Sequence, residues 1–188
     1  MTTDLTQTAQ VFVPAPVTDI FDALLAAPVI TKLHSKEGDI LEIIPLAGQP
    51  GHKGFECATR INAGYYDIRY LDTLTRYEAP MRLTLDRLPE CAFDYDPAER
   101  LPPDVGSRHV FGPTPDQFFV AAFGPSPAPQ ILDFELSHRD GGTLVAFDFS
   151  TVTARQFLTG WGKRRALRRI QDDMTMILAR LTDRVLQP

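Results

Sequence analysis

The chain has 188 residues, a formal net charge of −5, 44% hydrophobic residues and 23% charged residues. These values match a globular protein and exclude a disordered, collagen-like or coiled-coil chain, and the length favours one domain with a sizeable insertion over two domains. The negative charge argues against a nucleic-acid partner, and two cysteines are too few for a disulfide framework or a four-cysteine zinc site.

The start of the sequence predicts no export signal. Residues 1–10 are polar and lack the basic and apolar segments of a secretory signal. No window approaches the roughly 18 consecutive apolar residues that a membrane span needs. We therefore expect a cytoplasmic protein with reduced thiols and no membrane span. The sequence leaves a homodimer open.

The first elements in the chain are a predicted strand and two short helices. Residues 8–13 form an apolar-rich stretch that ends at Pro14, and Pro16 suits the first turn of a helix, where a missing N–H costs nothing. The apolar residues that follow share one helix face: Val17, Ile20, Phe21 and Leu24. Pro28 starts a second helical segment, and residues 39–46 are a candidate strand rich in Ile and Leu.

Alternating apolar residues predict a first hairpin around residues 63–64. A two-residue turn there places Thr59 opposite Ile68, so that the apolar faces of both strands coincide. On the other face, the same register places Arg60 opposite Asp67, an opposite-charge pair of the kind that stabilises a hairpin.

Residues 81–85 predict a further strand, and a second hairpin follows around a turn at residues 139–142. The register that matches both apolar faces places Phe134 opposite Phe147. A one-residue slip would move every apolar side chain to the other face, so this register is well specified.

The carboxyl-terminal segment predicts a long helix. Its apolar stripe advances in steps of three and four: Leu167, Ile170, Met174, Ile177, Leu178, Leu181 and Val185. The two glycines at 160 and 162 place the start of the regular helix near Gly162, with Trp161 as an extension of the stripe. We expect the stripe to be buried against the inner face of the sheet.

A proline-rich segment, residues 89–129, interrupts the series of strands. It contains nine of the sixteen prolines, and only residues 117–123 are apolar enough to pack as an element. A segment of this composition cannot bury an independent core, so we expect a lid over one end of the sheet. The residues expected to dock it are Phe118, Phe119, Val120 and Phe123.

The order of these elements resembles the START-related, birch-pollen-allergen-like superfamily, also called SRPBCC or polyketide cyclase/dehydrase-like. Three segments carry the resemblance: residues 11–28, with a strand, a proline and a helix; residues 75–85, with a proline before an alternating strand; and residues 140–149, before the long helix. The resemblance implies an α+β helix-grip fold over residues 1–188. In this fold a seven-stranded curved antiparallel sheet wraps around a long carboxyl-terminal helix, and two short helices follow the first strand.

The resemblance also implies an internal cavity for an apolar or amphipathic small molecule. The side chains expected to face it are Thr59, Tyr66, Tyr70, Phe134, His138, Phe147, Phe149 and Trp161. A buried tyrosine hydroxyl needs a hydrogen-bond partner, which a ligand can supply, and a histidine can act as a polar handle or as a general acid or base. Each of these residues can equally be plain core.

The remaining polar residues predict no metal site and no cofactor. No two of the four histidines have the spacing of metal ligands, and the sequence has no glycine-rich phosphate loop or nucleophile motif. A basic cluster at residues 163–169 is either a solvated helix face or a site for an anionic ligand head group, a partner or nucleic acid.

Three functions therefore compete. The first is non-enzymatic binding of a hydrophobic or amphipathic small molecule. The second is a cyclase- or dehydratase-like enzyme for an aromatic or polyketide-type substrate, with His138, Tyr66 and Tyr70 as acid–base candidates. The third is a protein-interaction module that resembles chaperone-ATPase activators. A cavity favours the first two, and a filled core favours the third.

Overall fold

The computed structural model describes residues 3–25, 40–62, 66–94, 113–153 and 160–186. Its strands are β1 (Thr3–Val13), β2 (Ile40–Ala47), β3 (Glu56–Asn62), β4 (Tyr66–Glu78), β5 (Arg82–Asp94), β6 (Gln130–Arg139) and β7 (Gly142–Thr153). Its helices are α1 (Val17–Leu25), α2 (Pro115–Phe123) and α3 (Trp161–Leu186). The strands form one antiparallel sheet in the order β1-β7-β6-β5-β4-β3-β2.

Helix α1 buries the face that its sequence predicts. Its buried residues are Val17, Ile20, Phe21 and Leu24, which join the core together with residues of α3 and the sheet. The ring of Phe21 lies 5.4 Å from the ring of Tyr77 on β4. The second short helix predicted after β1 falls within residues 26–39, outside the described residues.

Strands β3 and β4 pair as predicted, but their register differs by two residues. Thr59 lies opposite Tyr70, where the sequence suggested Ile68. The two-residue turn at 63–64 was therefore wrong. A shift of two residues leaves every side chain on its expected face, because side chains alternate along a strand with a period of two.

The predicted ion pair of this hairpin forms in spite of the shifted register. Arg60 Nη2 lies 2.8 Å from Asp67 Oδ2. The residue directly opposite Arg60 is Arg69, so the ion pair is diagonal. The long side chain of arginine reaches a diagonal neighbour without difficulty.

Strands β6 and β7 pair in the predicted register. Phe134 lies opposite Phe147, and their rings are stacked with centroids 4.3 Å apart. The turn needs glycine at two places. Gly141 has a φ of 81°, which side chains disfavour, and a Cβ on Gly142 would lie 2.3 Å from the carbonyl oxygen of Val13 on β1.

Helix α3 contributes as many buried residues to the core as α1 does. Its buried residues are Met174, Ile177, Leu178 and Leu181, and Ile170 and Val185 pack partly buried beside them. They belong to one core cluster with fully buried residues of the sheet: Leu83, Leu132, Phe134, Leu136, Val145 and Phe147. The predicted α+β class, with a seven-stranded antiparallel sheet around a long carboxyl-terminal helix, is thereby confirmed.

The boundary of the proline-rich insertion needs a correction. Strand β5 continues to Asp94, so residues 89–94 belong to the sheet. Pro89 lies opposite Tyr70, beside a register shift between Arg69 and Tyr70, and such irregularities tolerate a proline in a strand. Farther along, residues 117–123 do form an element, helix α2.

Helix α2 has a well-defined start. Thr114 Oγ1 accepts a hydrogen bond from the backbone N–H of Gln117, whose side chain accepts one from the backbone N–H of Thr114. This reciprocal capping, together with Pro115 at the first turn, stabilises a short helix. In the described parts of the chain, no helix is long and apolar enough to cross a membrane.

Candidate functional site

A cavity of about 390 Å³ lies between the inner face of the sheet, α3 and the end of α2. Phe147 and Phe149 of β7 line the sheet side, and Ile170, Met174 and Ile177 of α3 line the opposite side. The last two residues of α2 form a third wall. This volume is within the range of small-molecule sites, about 300–1,000 Å³.

A row of polar residues crosses the sheet at this cavity. Asp72 of β4 lies opposite Arg87 of β5, Arg87 lies opposite Gln130 of β6, and Gln130 lies opposite Thr151 of β7. Arg87, Gln130 and Thr151 line the cavity. Directly opposite residues of neighbouring strands share a face, so the row brings polar groups to one level of the apolar lining.

Arg87 and Asp72 form a bidentate, buried ion pair. Arg87 Nε donates to Asp72 Oδ1 at 2.7 Å, and Nη2 donates to Oδ2 at 2.9 Å. The hydroxyl of Thr59 also donates to Asp72 Oδ2, at 2.9 Å. Burial acts to lower the pKa of Arg87, but the charge and hydrogen bonds of Asp72 outweigh it and raise that pKa, so Arg87 stays cationic.

Tyr70 lies against this ion pair and lines the cavity. The guanidinium carbon of Arg87 lies 5.2 Å from the centre of the Tyr70 ring, a cation–π arrangement. Burial raises the pKa of Tyr70 to about 12, with the Arg87 cation opposing the shift and the Asp72 carboxylate adding to it. The Tyr70 hydroxyl therefore keeps its proton near neutral pH and can donate a hydrogen bond.

Two charged residues of α3, Arg169 and Asp173, also line the cavity, opposite the polar row. Burial raises the pKa of Asp173, while the Arg169 cation opposes the shift and Asp172 adds to it. The charges of Arg169 and Asp173 are opposite, so this side of the lining adds no net charge when both are ionised.

Cys57 lies next to the polar row. Its Sγ is 3.9 Å from the hydroxyl oxygen of Thr59. Burial and the neighbouring Asp72 carboxylate raise the pKa of the Cys57 thiol, which disfavours the reactive thiolate. Cys57 is therefore a small residue of the buried core.

Three of the eight residues predicted to face a cavity line it in the structure: Tyr70, Phe147 and Phe149. Thr59 and Phe134 are fully buried behind them. Thr59 supports the Asp72 carboxylate, and Phe134 supports the ring of Phe147.

Tyr66 has a different place from the one expected. Its ring is stacked on Phe118 of α2 with centroids 4.3 Å apart, and its hydroxyl donates to the carbonyl oxygen of Pro113. Tyr66 is therefore buried at the contact between the sheet and α2, where it holds the helix and does not line the cavity.

The other two predicted residues are exposed. His138 lies near the end of the β6–β7 hairpin, where it pairs with Thr143. Trp161 is 73% exposed, and Arg165 of the basic cluster lies over its ring at 5.5 Å. Trp161 precedes the stripe residue Ile170 by nine positions, about two and a half turns, and so lies on the opposite side of α3.

Arg87 and Asp72 were not predicted, although the sequence contains a signal for them. Asp72 follows Tyr70 by two residues, and Arg87 follows Leu85 by two, so both charges occupy inward positions of alternating segments. Charges of opposite sign at inward positions of neighbouring strands indicate a buried ion pair.

Nothing in the described residues points to a metal centre. Among them, no three His, Cys, Asp or Glu side chains come together in an arrangement that could hold a metal ion. The absence of a metal and of a cofactor stays a prediction from the sequence.

Solved structures with the same architecture include proteins from bacteria and plants. An uncharacterised protein from Rhizobium leguminosarum has a TM-score of 0.64 and 12% identity, over 100% of this chain and 98% of the other. Norcoclaurine synthase from Thalictrum flavum was solved as a point mutant in complex with a transition-state analogue. It has a TM-score of 0.61 and 8% identity, over 100% of this chain and 97% of the other. Major latex-like protein 151 from Panax ginseng has a TM-score of 0.59 and 7% identity, over 97% and 98%.

These comparisons define the fold of the chain. It is the helix-grip fold of START-related, birch-pollen-allergen-like proteins, as the order of the sequence elements predicts. No protein-family model matches the sequence, and no curated protein matches it either.

Proposed function

We propose that the chain binds an amphipathic small molecule in the cavity and does not change it chemically. The observation that carries the proposal is the cavity itself, whose mainly apolar lining has one row of polar side chains on the sheet and two charged side chains, Arg169 and Asp173, on α3. Apolar walls favour an apolar ligand body, and a few fixed polar groups orient it. A cytoplasmic location stays a prediction from the sequence, and a homodimer stays open.

The enzymatic alternative finds less support. A cyclase- or dehydratase-like reaction needs an acid or base that reaches the ligand. Of the three candidates from the sequence, only Tyr70 lines the cavity, since Tyr66 contacts α2 and His138 is exposed. Because the pKa of Tyr70 is about 12, its hydroxyl suits hydrogen bonding better than proton transfer near neutral pH.

The protein-interaction alternative requires a filled core. The cavity therefore favours a small-molecule ligand over a protein partner. Norcoclaurine synthase, which shares the fold, is known in complex with a transition-state analogue. That complex supports a small-molecule site in a protein of this architecture, while the ligand of the present chain has to be argued from its own residues.

Two neighbouring alanines of α2 provide a test of the cavity. Ala122 lines it, whereas Ala121 is exposed. The test uses prodan as the probe ligand. Prodan is an uncharged naphthyl ketone whose fluorescence emission shifts to the blue in apolar surroundings. We expect Ala122→Trp to fill part of the cavity and weaken prodan binding about tenfold or more, a loss of roughly 1.4 kcal/mol or more in binding free energy. Ala121→Trp should bind as the unchanged protein does.

Binding is followed by fluorescence titration, and circular dichroism checks that both variants are folded. Equal affinities for the two tryptophan variants would show that prodan binds elsewhere on the surface. Such a result, or no binding of prodan by the unchanged protein, would contradict the proposed function.

A further inference from the structure

Resting on the proposed function, we infer that the cavity selects a ligand whose buried end is an uncharged oxygen acceptor. Ketone, ester and lactone carbonyls belong to this class. Arg87 is the residue that binds the oxygen. The inference follows from the hydrogen bonds that Arg87 makes, from the way its guanidinium is held, and from the charge balance of the lining.

Within the described residues, the guanidinium of Arg87 has donors that no protein atom accepts from. Of its five N–H groups, two donate to Asp72, one from Nε and one from Nη2. Among the described residues, no protein atom other than those of Asp72 accepts from Arg87. The side chain lines the cavity, and we place the ligand oxygen at the edge that carries Nη1, which Asp72 leaves open.

The guanidinium is also held rigidly. Asp72 accepts two hydrogen bonds from one edge of the guanidinium. The ring of Tyr70 covers one face, with its centre 5.2 Å from the guanidinium carbon. The side chain is only 4% exposed. A donor that is already fixed loses little conformational entropy when a ligand binds, which favours affinity for a correctly placed acceptor.

The charge balance selects an uncharged acceptor over a carboxylate. Asp72 already neutralises Arg87, and a ligand carboxylate at Nη1 would place a second negative charge close to Asp72 in a low-dielectric site. It would also lose its hydration without an unpaired cation to compensate. A carbonyl oxygen has a much smaller desolvation cost and still accepts a charge-assisted hydrogen bond.

The rest of the lining reinforces this selection. The other polar members of the row, Gln130 and Thr151, are uncharged. The hydroxyl of Thr151 donates to the carbonyl oxygen of Pro129 at 3.2 Å, so it is already engaged. On α3, Arg169 and Asp173 have opposite charges, so the lining offers no unbalanced cation for an anionic ligand.

Three related ligands separate this inference from the proposed function. Prodan has the ketone, dimethylaminonaphthalene lacks the acyl group, and dimethylaminonaphthoate has a carboxylate in its place. We expect the unchanged protein to bind all three, with the ketone about tenfold or more tighter than the compound without the acyl group. The naphthoate should bind more weakly than the ketone.

Two variants link the preference to the ion pair. In Asp72→Leu/Arg87→Met, apolar residues replace both charges, a change that folded proteins often tolerate. It should bind the ketone and the compound without the acyl group equally. In Asp72→Asn, the neutralising charge is gone, so the naphthoate should now bind more tightly than the ketone. A purely structural role for the pair predicts no such reversal.

A second ion pair provides the matched control. Arg82 and Asp133 lie on the outer face of the sheet, so Arg82→Met/Asp133→Leu should keep the ketone preference.

If the compound without the acyl group binds as tightly as the ketone, or the naphthoate binds the unchanged protein best, the inference is overturned while cavity binding stands. If Asp72→Asn fails to fold, the double variant still decides, since a retained ketone preference there also overturns the inference. Absence of binding for all three ligands would remove the proposed function and the inference together.

Discussion

At the scale of single residues, Asp133 links strands β5 and β6 on the outer face. Arg82 donates to it from Nε at 3.1 Å and from Nη2 at 2.5 Å, and the hydroxyl of Thr84 donates at 2.7 Å. Burial acts to raise the pKa of Asp133, but the hydrogen bonds and charge of Arg82, together with Thr84, outweigh it and lower that pKa below its usual 3.8.

This lowered pKa predicts a contribution to acid stability. A carboxyl group whose pKa is lower in the folded state stabilises the fold above its unfolded pKa, and this stabilisation is lost as the pH falls through the folded pKa. We therefore expect Asp133→Asn to lower the free energy of unfolding near neutral pH. The difference in unfolding free energy between this variant and the unchanged protein should become smaller below about pH 4. Urea denaturation at several pH values measures this difference. A difference that does not depend on pH would contradict a lowered pKa for Asp133.

The residues of the site show what a single sequence can predict about chemistry. The inward positions of Tyr70, Phe147 and Phe149 follow from alternation alone, because a period of two assigns a face to each residue of a strand. The partnership of Arg87 with Asp72 depends in addition on the register of β4 against β5, which contains two irregularities. No local pattern specifies those irregularities, so the polar row emerges only in the folded sheet.

At the scale of elements, the packing of α3 against the sheet should contribute strongly to the free energy of unfolding. Ile177 is 1% exposed and meets the inner face of the sheet. We expect Ile177→Ala to destabilise the protein by about 2–5 kcal/mol, since it leaves a cavity in a packed core. Asp183→Ala, at an exposed position of the same helix, should change stability by less than about 0.5 kcal/mol.

Denaturant unfolding followed by circular dichroism compares the two variants. If both variants unfold at the same urea concentration as the unchanged protein, α3 does not pack as described. The slope of the transition should stay the same, because neither change alters the surface exposed on unfolding by much.

The two hairpins show why one register was predicted correctly and the other was not. Between β6 and β7 the turn contains Asp140 and Gly141, a pair that favours a two-residue turn and so determines the register. Around residues 63–64 no such pair is present. Matching apolar faces exclude a shift of one residue but permit a shift of two, which is the difference observed between β3 and β4.

At the scale of the whole molecule, the sequence predicts the architecture more fully than the site. The order of the elements and the stripe on α3 are enough for the helix-grip fold, since few arrangements bury one long helix against one antiparallel sheet. The cavity depends on how far the sheet, α3 and α2 stay apart. That separation is set by side chains distant in sequence, which no local pattern specifies.

We propose that α2 acts as a lid over the cavity, because of the contacts that it makes with the sheet. Phe118 is stacked on Tyr66, and Phe123 meets Tyr70 edge-on at 6.2 Å. The end of the helix lines the cavity, so a ligand can leave when this end separates from the sheet. The expectation that Val120 docks was wrong, since it is 49% exposed.

The lid proposal makes a prediction about rates. Phe118→Ala removes the stacked ring that holds α2 against Tyr66, so the lid should open more often and prodan should dissociate about tenfold faster or more, while the association rate changes less. Val120→Ala, on the exposed side of the same helix, should leave both rates unchanged. Stopped-flow fluorescence measures them. Equal dissociation rates for the two variants would show that the ligand leaves by another path, because Phe118 is stacked on a ring of the sheet whereas Val120 is half exposed.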